Sequence, residues 1–313
     1  MFNFILRRAA ASIPVMAVVA AVVFAILRLT PGDPAAIIAG DSATPEQLGE
    51  IRRMMGLDQP LYTQFFMWIW RLLQGDLGTS LLSGVPVTEM IAQRMGPSLA
   101  LCLSTITLSV LIAVPLGILA AWRQGRLLDR MVMAGSVLGF SVPVFVTAYV
   151  LILFFSLELR WFPVQGYKPL DAGLLPFVKS LALPTLALST IYVALIARIT
   201  RTSIIEVMGE DFIRTARAKG LREGGVLFGH ALRNAAVPIV TIIGVGIAML
   251  ISGVVVTESV FNLPGLGRLV VEAVLARDYP VIQALILLFA FIYVFINLIV
   301  DALYTVFDPR IRY

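Results

Sequence analysis

An all-α integral membrane protein with six transmembrane helices is the fold class this sequence predicts, and three observations predict it. Of its 313 residues, 59% are hydrophobic and 14% charged, with a mean hydropathy of +0.93. That is more apolar surface than one water-soluble core can hide, so lipid must cover the remainder. Six runs are long and apolar enough to cross a bilayer, which takes roughly 20 residues of helix because backbone groups in about 30 Å of hydrocarbon must bond internally. The cations, finally, concentrate in every second connection between those runs.

The runs cover residues 9–29, 98–121, 131–157, 180–200, 235–257 and 281–306. The opening MFNFILRR has the basic character of a signal peptide. The run behind it is too long for one and reaches TPGDP (30–34) without a small-residue cleavage pattern, so it is expected to stay as the first span. In the fourth run Pro184 interrupts the start and Arg198 marks the end. If residues 1–8 face the cytoplasm, so do 122–130, 201–235 and 307–313, and these pieces hold 13 Lys and Arg in 59 residues. The opposite pieces, 30–97, 158–179 and 258–280, hold 9 in 113. The positive-inside rule therefore places both termini in the cytoplasm, with residues 98–306 forming a five-span core.

Residues 30–97 are too polar to span and too patterned for a plain linker, so they are expected to form a helical extracytoplasmic segment. Thr44 reads as an N-cap, with Pro45 in the first turn and Gln47 at the capping-box position. PLYTQFFMWIWRLLQG reads as a second helix ended by Gly75, with Phe65, Phe66, Trp68 and Trp70 suiting it to a membrane interface or to an external partner.

The spans carry no ionisable group in their central portions, which speaks against an ion-coupled secondary transporter, the main alternative reading. Asp301, near the cytoplasmic end of the last run, suits a helix-end hydrogen bond. Pro115, Pro143 and Pro184 are compatible with kinks. The closest approach to a phosphate-binding loop ends in Val178-Lys179-Ser180, with valine where a glycine is required, so ATP hydrolysis is not expected of this chain. A single cysteine, Cys102, excludes an intrachain disulfide, and the single His230 excludes a two-His metal motif or a credible Ser/His/Asp set. A membrane enzyme or scaffold is thereby the most remote reading.

One stretch breaks the apolar pattern: EDFIRTARAKGLREGGVLFGHALRN, residues 210–234. Nine charged residues from Glu206 to Arg233, at roughly 3 kcal/mol each in mid-bilayer, would cost on the order of 27 kcal/mol, so the stretch belongs outside the membrane. Phe212, Ile213 and Ala216 fall on one helical face, Arg214 and Arg217 flank it, and Gly220 supplies the stop. A second helical piece resumes near Gly224-Gly225 and carries Val226, Leu227, Ala231 and Leu232 toward the next span. The cations suit anionic lipid head groups, and the apolar face suits a groove on a soluble partner. Spacing alone leaves both open.

TARAKG (215–220) followed by HALRNA (230–235) resembles the cytoplasmic EAA-type motif of ABC-importer permeases, in their peptide and nickel branch. The resemblance extends along nearly the whole chain, through FILRR, TPGDP, GLDQPLYTQF, GDLGTS, ESVFNLPGLGRL, RDYPVIQ and NLIVDALY…DPRIRY in order. Arg214 and Thr215 stand where Glu and the first Ala are usual, and Leu232-Arg233 where Leu-Pro is common.

The resemblance implies a type I importer permease in a bacterial inner membrane, paired with a second homologous permease. It implies two ABC ATPase subunits carrying ATP and Mg, with no cofactor bound by this chain, and an extracytoplasmic substrate-binding protein. The implied cargo is peptide, di- or oligopeptide ahead of glutathione or nickel, and nucleic acid is not an expected partner. Glu210, Asp211, Phe212, Ile213, Arg214, Thr215, Ala216, Arg217, Lys219, Gly220 and Leu221 become the ATPase-coupling helix. Glu258 and Arg268, beyond the fifth span, are candidates for an external gate, with ordinary loop solvation as the plainer reading.

Overall fold

The computed structural model describes residues 2–29, 35, 44–54 and 56–307; TPGDP and the closing DPRIRY lie outside them. In chain order come α1 (Phe2–Leu29), α2 (Pro45–Met54), α3 (Leu61–Leu73) and α4 (Val87–Trp122). Next are α5 (Leu127–Ser141), α6 (Val144–Leu151) continued by a π-helical stretch over Ile152–Glu158, and α7 (Leu174–Met208). α8 (Asp211–Ala218), α9 (Ala236–Val260), α10 (Leu266–Leu275) and α11 (Tyr279–Phe307) complete the chain. Among the described residues the extended pairing is one isolated bridge, Thr79 with Pro86.

Among the described residues, four helices are long and apolar enough to cross a membrane unaided, and two bent pairs raise the number of candidate spans to six. The third run differs from the straight span its hydropathy predicts. α5 and the helix that follows it meet at a 101° corner, because Val142 before Pro143 is extended (φ −92°, ψ 119°), as the proline ring demands of its predecessor. Pro184, by contrast, does not interrupt the fourth span. α7 starts six residues before the expected point, at Leu174, and runs through Pro184 unbroken, a tolerance that surrounding helices give to proline in membrane spans.

α7 is the centre of the molecule. In its membrane window 67% of residues are buried, against 17–22% for the other three unaided spans, so it is the span the others pack around. Its most extensive partner is α4, and Gly117 allows the approach: a Cβ there would stand 2.7 Å from the Ala197 carbonyl oxygen and 2.6 Å from Thr200. Leu101, Leu183, Leu188, Tyr192, Ile196 and Leu250 form the main core across α4, α7 and α9. A second core joins Val87 and Ile91 of α4 to Leu269 of α10 and Leu285 of α11. Val15, Val18, Val22 and Ile26 of α1 and Phe291 and Phe295 of α11 stay exposed, an apolar exterior that lipid or another apolar chain must cover.

The predicted capping box forms at the start of α2: Thr44 N–H donates to Gln47 Oε1 at 2.9 Å, and Gln47 N–H donates to Thr44 Oγ1 at 3.3 Å. α3 ends at Gly75, whose φ is +82°. Asp301 lies within α11, which runs on to Phe307, and pairs with Arg8 of α1 at 2.9 Å.

Candidate functional site

The charged stretch folds as two short helical pieces around one apolar hub. α8 opens from an extended Glu210 (φ −74°, ψ 150°) and closes through Gly220 in the left-handed region at φ +78°, a conformation that glycine reaches without penalty. Ile213 is 0% exposed and Ala216 is buried beside it. Their neighbours are Ile118 of α4, Ile204 of α7, Val226, Leu227 and Ala231 of the following piece, and Ala235 and Ile239 at the start of α9. One face of an eight-residue helix thereby joins three long helices in a single apolar contact.

Phe212 departs from its expected place. It lies 41% exposed while Ile213 is fully buried, because the buried face is satisfied by the chain's own hub and residue 212 is turned about 100° from 213 on a helix. Arg214, Thr215, Lys219 and Leu221 are exposed with it. Arg214 pairs with Asp211 at 3.3 Å, and Arg217 clasps Glu223 with two bonds of 2.8 and 3.2 Å, tying α8 to the next piece. That piece bends into α9 by 61°, with Val226, Leu227 and Ala231 buried as expected and Leu232 half-buried.

Beside the hub a charge pair went unrecognised in the sequence. Asp129, buried at the start of α5, accepts two bonds from the Arg201 guanidinium, one of them to Oδ2 at 2.8 Å, and also the Gly125 N–H at 2.8 Å. It fastens α5 to α7 just before α7 leads into α8. The available signal was that Asp129 is the one acid in the basic connection 122–130.

At the far end of α9, Glu258 is not solvated loop: it is 0% exposed. Its Oε1 accepts from Ser98 Oγ at 2.5 Å and its Oε2 from the Arg268 N–H at 3.0 Å, while Ser98 Oγ accepts the Leu266 N–H at 2.7 Å. Gly265 leaves the room, since a Cβ there would sit 2.0 Å from Glu258 Oε1. Glu258 and Arg268 meet through that backbone group alone; the Arg268 side chain bonds Glu272 and Asn262. Asp278 makes a parallel tie, accepting from Ser80 Oγ at 2.5 Å and the Leu81 N–H at 3.1 Å. GDLGTS and RDYPVIQ are thus in contact, a pairing across nearly 200 residues that no local pattern announces.

Residues 113–313 match the family described as binding-protein-dependent transport system inner membrane component, and residues 1–102 match its N-terminal membrane component. The chain belongs to this family. Among its relatives is a "Probable peptide ABC transporter permease protein" of Sinorhizobium fredii, 51% identical over 310 residues and 99% of each chain. A glutathione transport system permease protein of Salmonella paratyphi A is 44% identical over 313 residues, all of both chains. The permease also shares its fold with an inward-facing MetNI methionine ABC transporter, at a TM-score of 0.59 and 18% identity, covering 71% of this chain and 97% of that one. It is therefore a multi-pass ABC permease of type I importer fold, the membrane component of a binding-protein-dependent transport system.

Proposed function

We propose that this permease forms half of the translocation path of an ATP-driven peptide importer, and that α8 is the helix through which two ABC ATPases drive it. The observation that carries this reading is the hub: Ile213 and Ala216 of α8 are buried with residues of α4, α7 and α9. A push on α8 is then delivered to three spans together, because a close-packed contact moves as a unit. The surface that receives the push is the exposed one, Glu210, Asp211, Phe212, Arg214, Thr215, Arg217, Lys219, Gly220 and Leu221. ATP and Mg belong to the ATPases, and a second homologous permease supplies the other half of the path. A binding protein delivers cargo from the opposite face, where Glu258 anchors the end of α9 and Arg268 stands at the external gate. Both termini lie in the cytoplasm, on the side of α8.

Peptide as cargo rests on the names of relatives that align along their whole length, one of them a glutathione permease. An ion-coupled mechanism is not favoured, because the buried acids Asp129, Glu258 and Asp278 lie at or beyond the ends of spans and already have partners.

The decisive variant follows from the exposure of Phe212. Ala216→Glu or Gly220→Pro would strike the hub or the turn and disturb the fold itself, whereas Phe212→Glu changes only the outward face. Phe212→Glu is expected to leave the permease folded in the membrane while removing ATPase co-purification and ATP-dependent uptake. Normal co-purification with normal uptake would refute the assignment. Uptake by the unaltered complex that survives loss of ATP but not of an ion gradient would refute the ATP-driven reading as a whole.

A further inference from the structure

The two helices that precede α4 differ in chemistry, and the difference locates one of them. α2 is charged, with Glu46, Glu50, Arg52 and Arg53 among its ten residues; α3 has one charge, Arg71, and no acid in thirteen. α3 touches the protein along two adjoining strips. Phe65 and Trp68 pack on Phe24 of α1, with ring centroids 5.3 and 5.8 Å apart. Gln64 turns its amide back to the connecting turn, donating to the carbonyls of Gln59 at 2.7 Å and Leu57 at 3.3 Å. The remaining face carries Tyr62, Phe66, Trp70 and Leu73, which are 64–74% exposed. At spacings of four, four and three residues they form one stripe along the helix.

Phe24 sets the depth of this stripe. The apolar membrane-crossing stretch of α1 runs over Leu6–Ile26, so Phe24 lies within one turn of its end, where hydrocarbon gives way to head groups. Phe66 and Trp70 lie within one turn of the two α3 residues that touch it. None of the described residues covers them there, and Tyr and Trp are the side chains that favour that boundary, with an apolar ring toward the acyl chains and a polar edge toward water. The lone Arg71 is exposed beside the stripe, where its long stem can reach the phosphates.

We propose that α3 is an in-plane membrane anchor, whose Tyr62–Phe66–Trp70–Leu73 stripe is seated in the head-group boundary of the bilayer against the end of α1. The occupant of the face is lipid, in place of a soluble binding protein or a second permease. The anchor holds α1 at a fixed height and leaves the charged α2 as the part of this segment free to meet water. It requires no assumption about cargo or ATPase coupling, so it stands or falls separately from the transport reading.

The test is depth-resolved fluorescence quenching on the assembled complex in lipid nanodiscs. Trp68, Trp122 and Trp161 are replaced by Phe, leaving Trp70, and the lipids carry bromine either near the head group or near the chain terminus. Shallow bromines are expected to remove most of the Trp70 emission, deep bromines far less, and aqueous iodide little. If the triple replacement does not assemble, the difference in emission between the unaltered complex and the single variant Trp70→Phe isolates the same residue from every other tryptophan of the complex, and that difference should be quenched by shallow bromines and spared by iodide. Strong iodide quenching with no response to brominated lipid would overturn the proposal in favour of a water-facing or binding-protein surface. Protection from both quenchers would overturn it in favour of a covering permease subunit.

Discussion

The two ends of α9 are held by opposite means. At Ala235 and Ile239 the helix enters an apolar hub in which Ile213, Val226 and Ala231 interlock without a polar bond between side chains. At Glu258 it ends in a buried carboxylate held by Ser98 and the Arg268 N–H, with glycine at 265 leaving no spare volume. Apolar contacts are non-directional, so a packed hub can shift as a unit without breaking a bond. A buried carboxylate has a narrow set of positions in which its bonds are satisfied, and leaving them is costly. On the coupling role proposed for α8, a hub that transmits movement and a carboxylate knot that resists it are the asymmetry an arm driven at one end requires.

The sharpest way to break that contrast is Gly265→Ala. The new methyl would overlap the Glu258 carboxylate, forcing it off its donors, and overpacking together with a disrupted buried charge costs roughly 3–5 kcal/mol. Little assembled permease should survive extraction, and the half-life of what remains, measured at fixed temperature in detergent, should fall by orders of magnitude. A normal half-life would mean that the knot yields easily.

Ile213→Ala probes the other end. Removing a fully buried side chain from the hub should cost about 3 kcal/mol, but the informative quantity is the ratio of ATP hydrolysed to cargo moved in the reconstituted complex. That ratio should rise, because a slack hub absorbs the displacement of α8. Gly265→Ala protein that survives should keep the ratio of the unaltered complex.

Asp129→Asn is expected to have an intermediate effect. The amide keeps the shape but loses one acceptor and the charge facing Arg201, worth about 2 kcal/mol for a hydrogen bond to a charged group. Thermal inactivation should accelerate, and Asp129→Glu, which keeps the charge, should recover part of the loss.

How much of this was legible in the sequence depended on the distance between partners. The capping box of α2 and the glycine end of α3 were readable because each signal spans a few residues of local backbone. The hub was half readable: Ile213 and Ala216 carried the right spacing, but the inward face of so short a helix is chosen by the whole hub, and Phe212 was placed wrongly. Pro143 marked a weak point without revealing a 101° corner, because local sterics forbid the helix there and tertiary packing chooses the angle. The knot was invisible, since Ser98 and Glu258 are 160 residues apart. Only the PGLG run after Glu258 hinted at a close backbone approach.

The smallest effect expected is that of Arg217→Ala, and it sharpens the comparison most finely. The Arg217 to Glu223 clasp has good geometry, at 2.8 and 3.2 Å, yet its side chains are 42% and 48% exposed. Water and salt screen such a pair, so its removal should cost under about 1 kcal/mol and scarcely change the inactivation half-life. ATPase co-purification measured on the same preparation then separates two roles. If the clasp only steadies the turn after α8, binding should weaken slightly and equally at low and high salt. If the guanidinium also meets the ATPase, binding should drop about tenfold at low salt, where a charge-assisted contact is strongest, and the difference should shrink as salt is added. Because the hub beneath it is apolar, raising salt leaves α8 in place, and the salt dependence reports on its outer face alone.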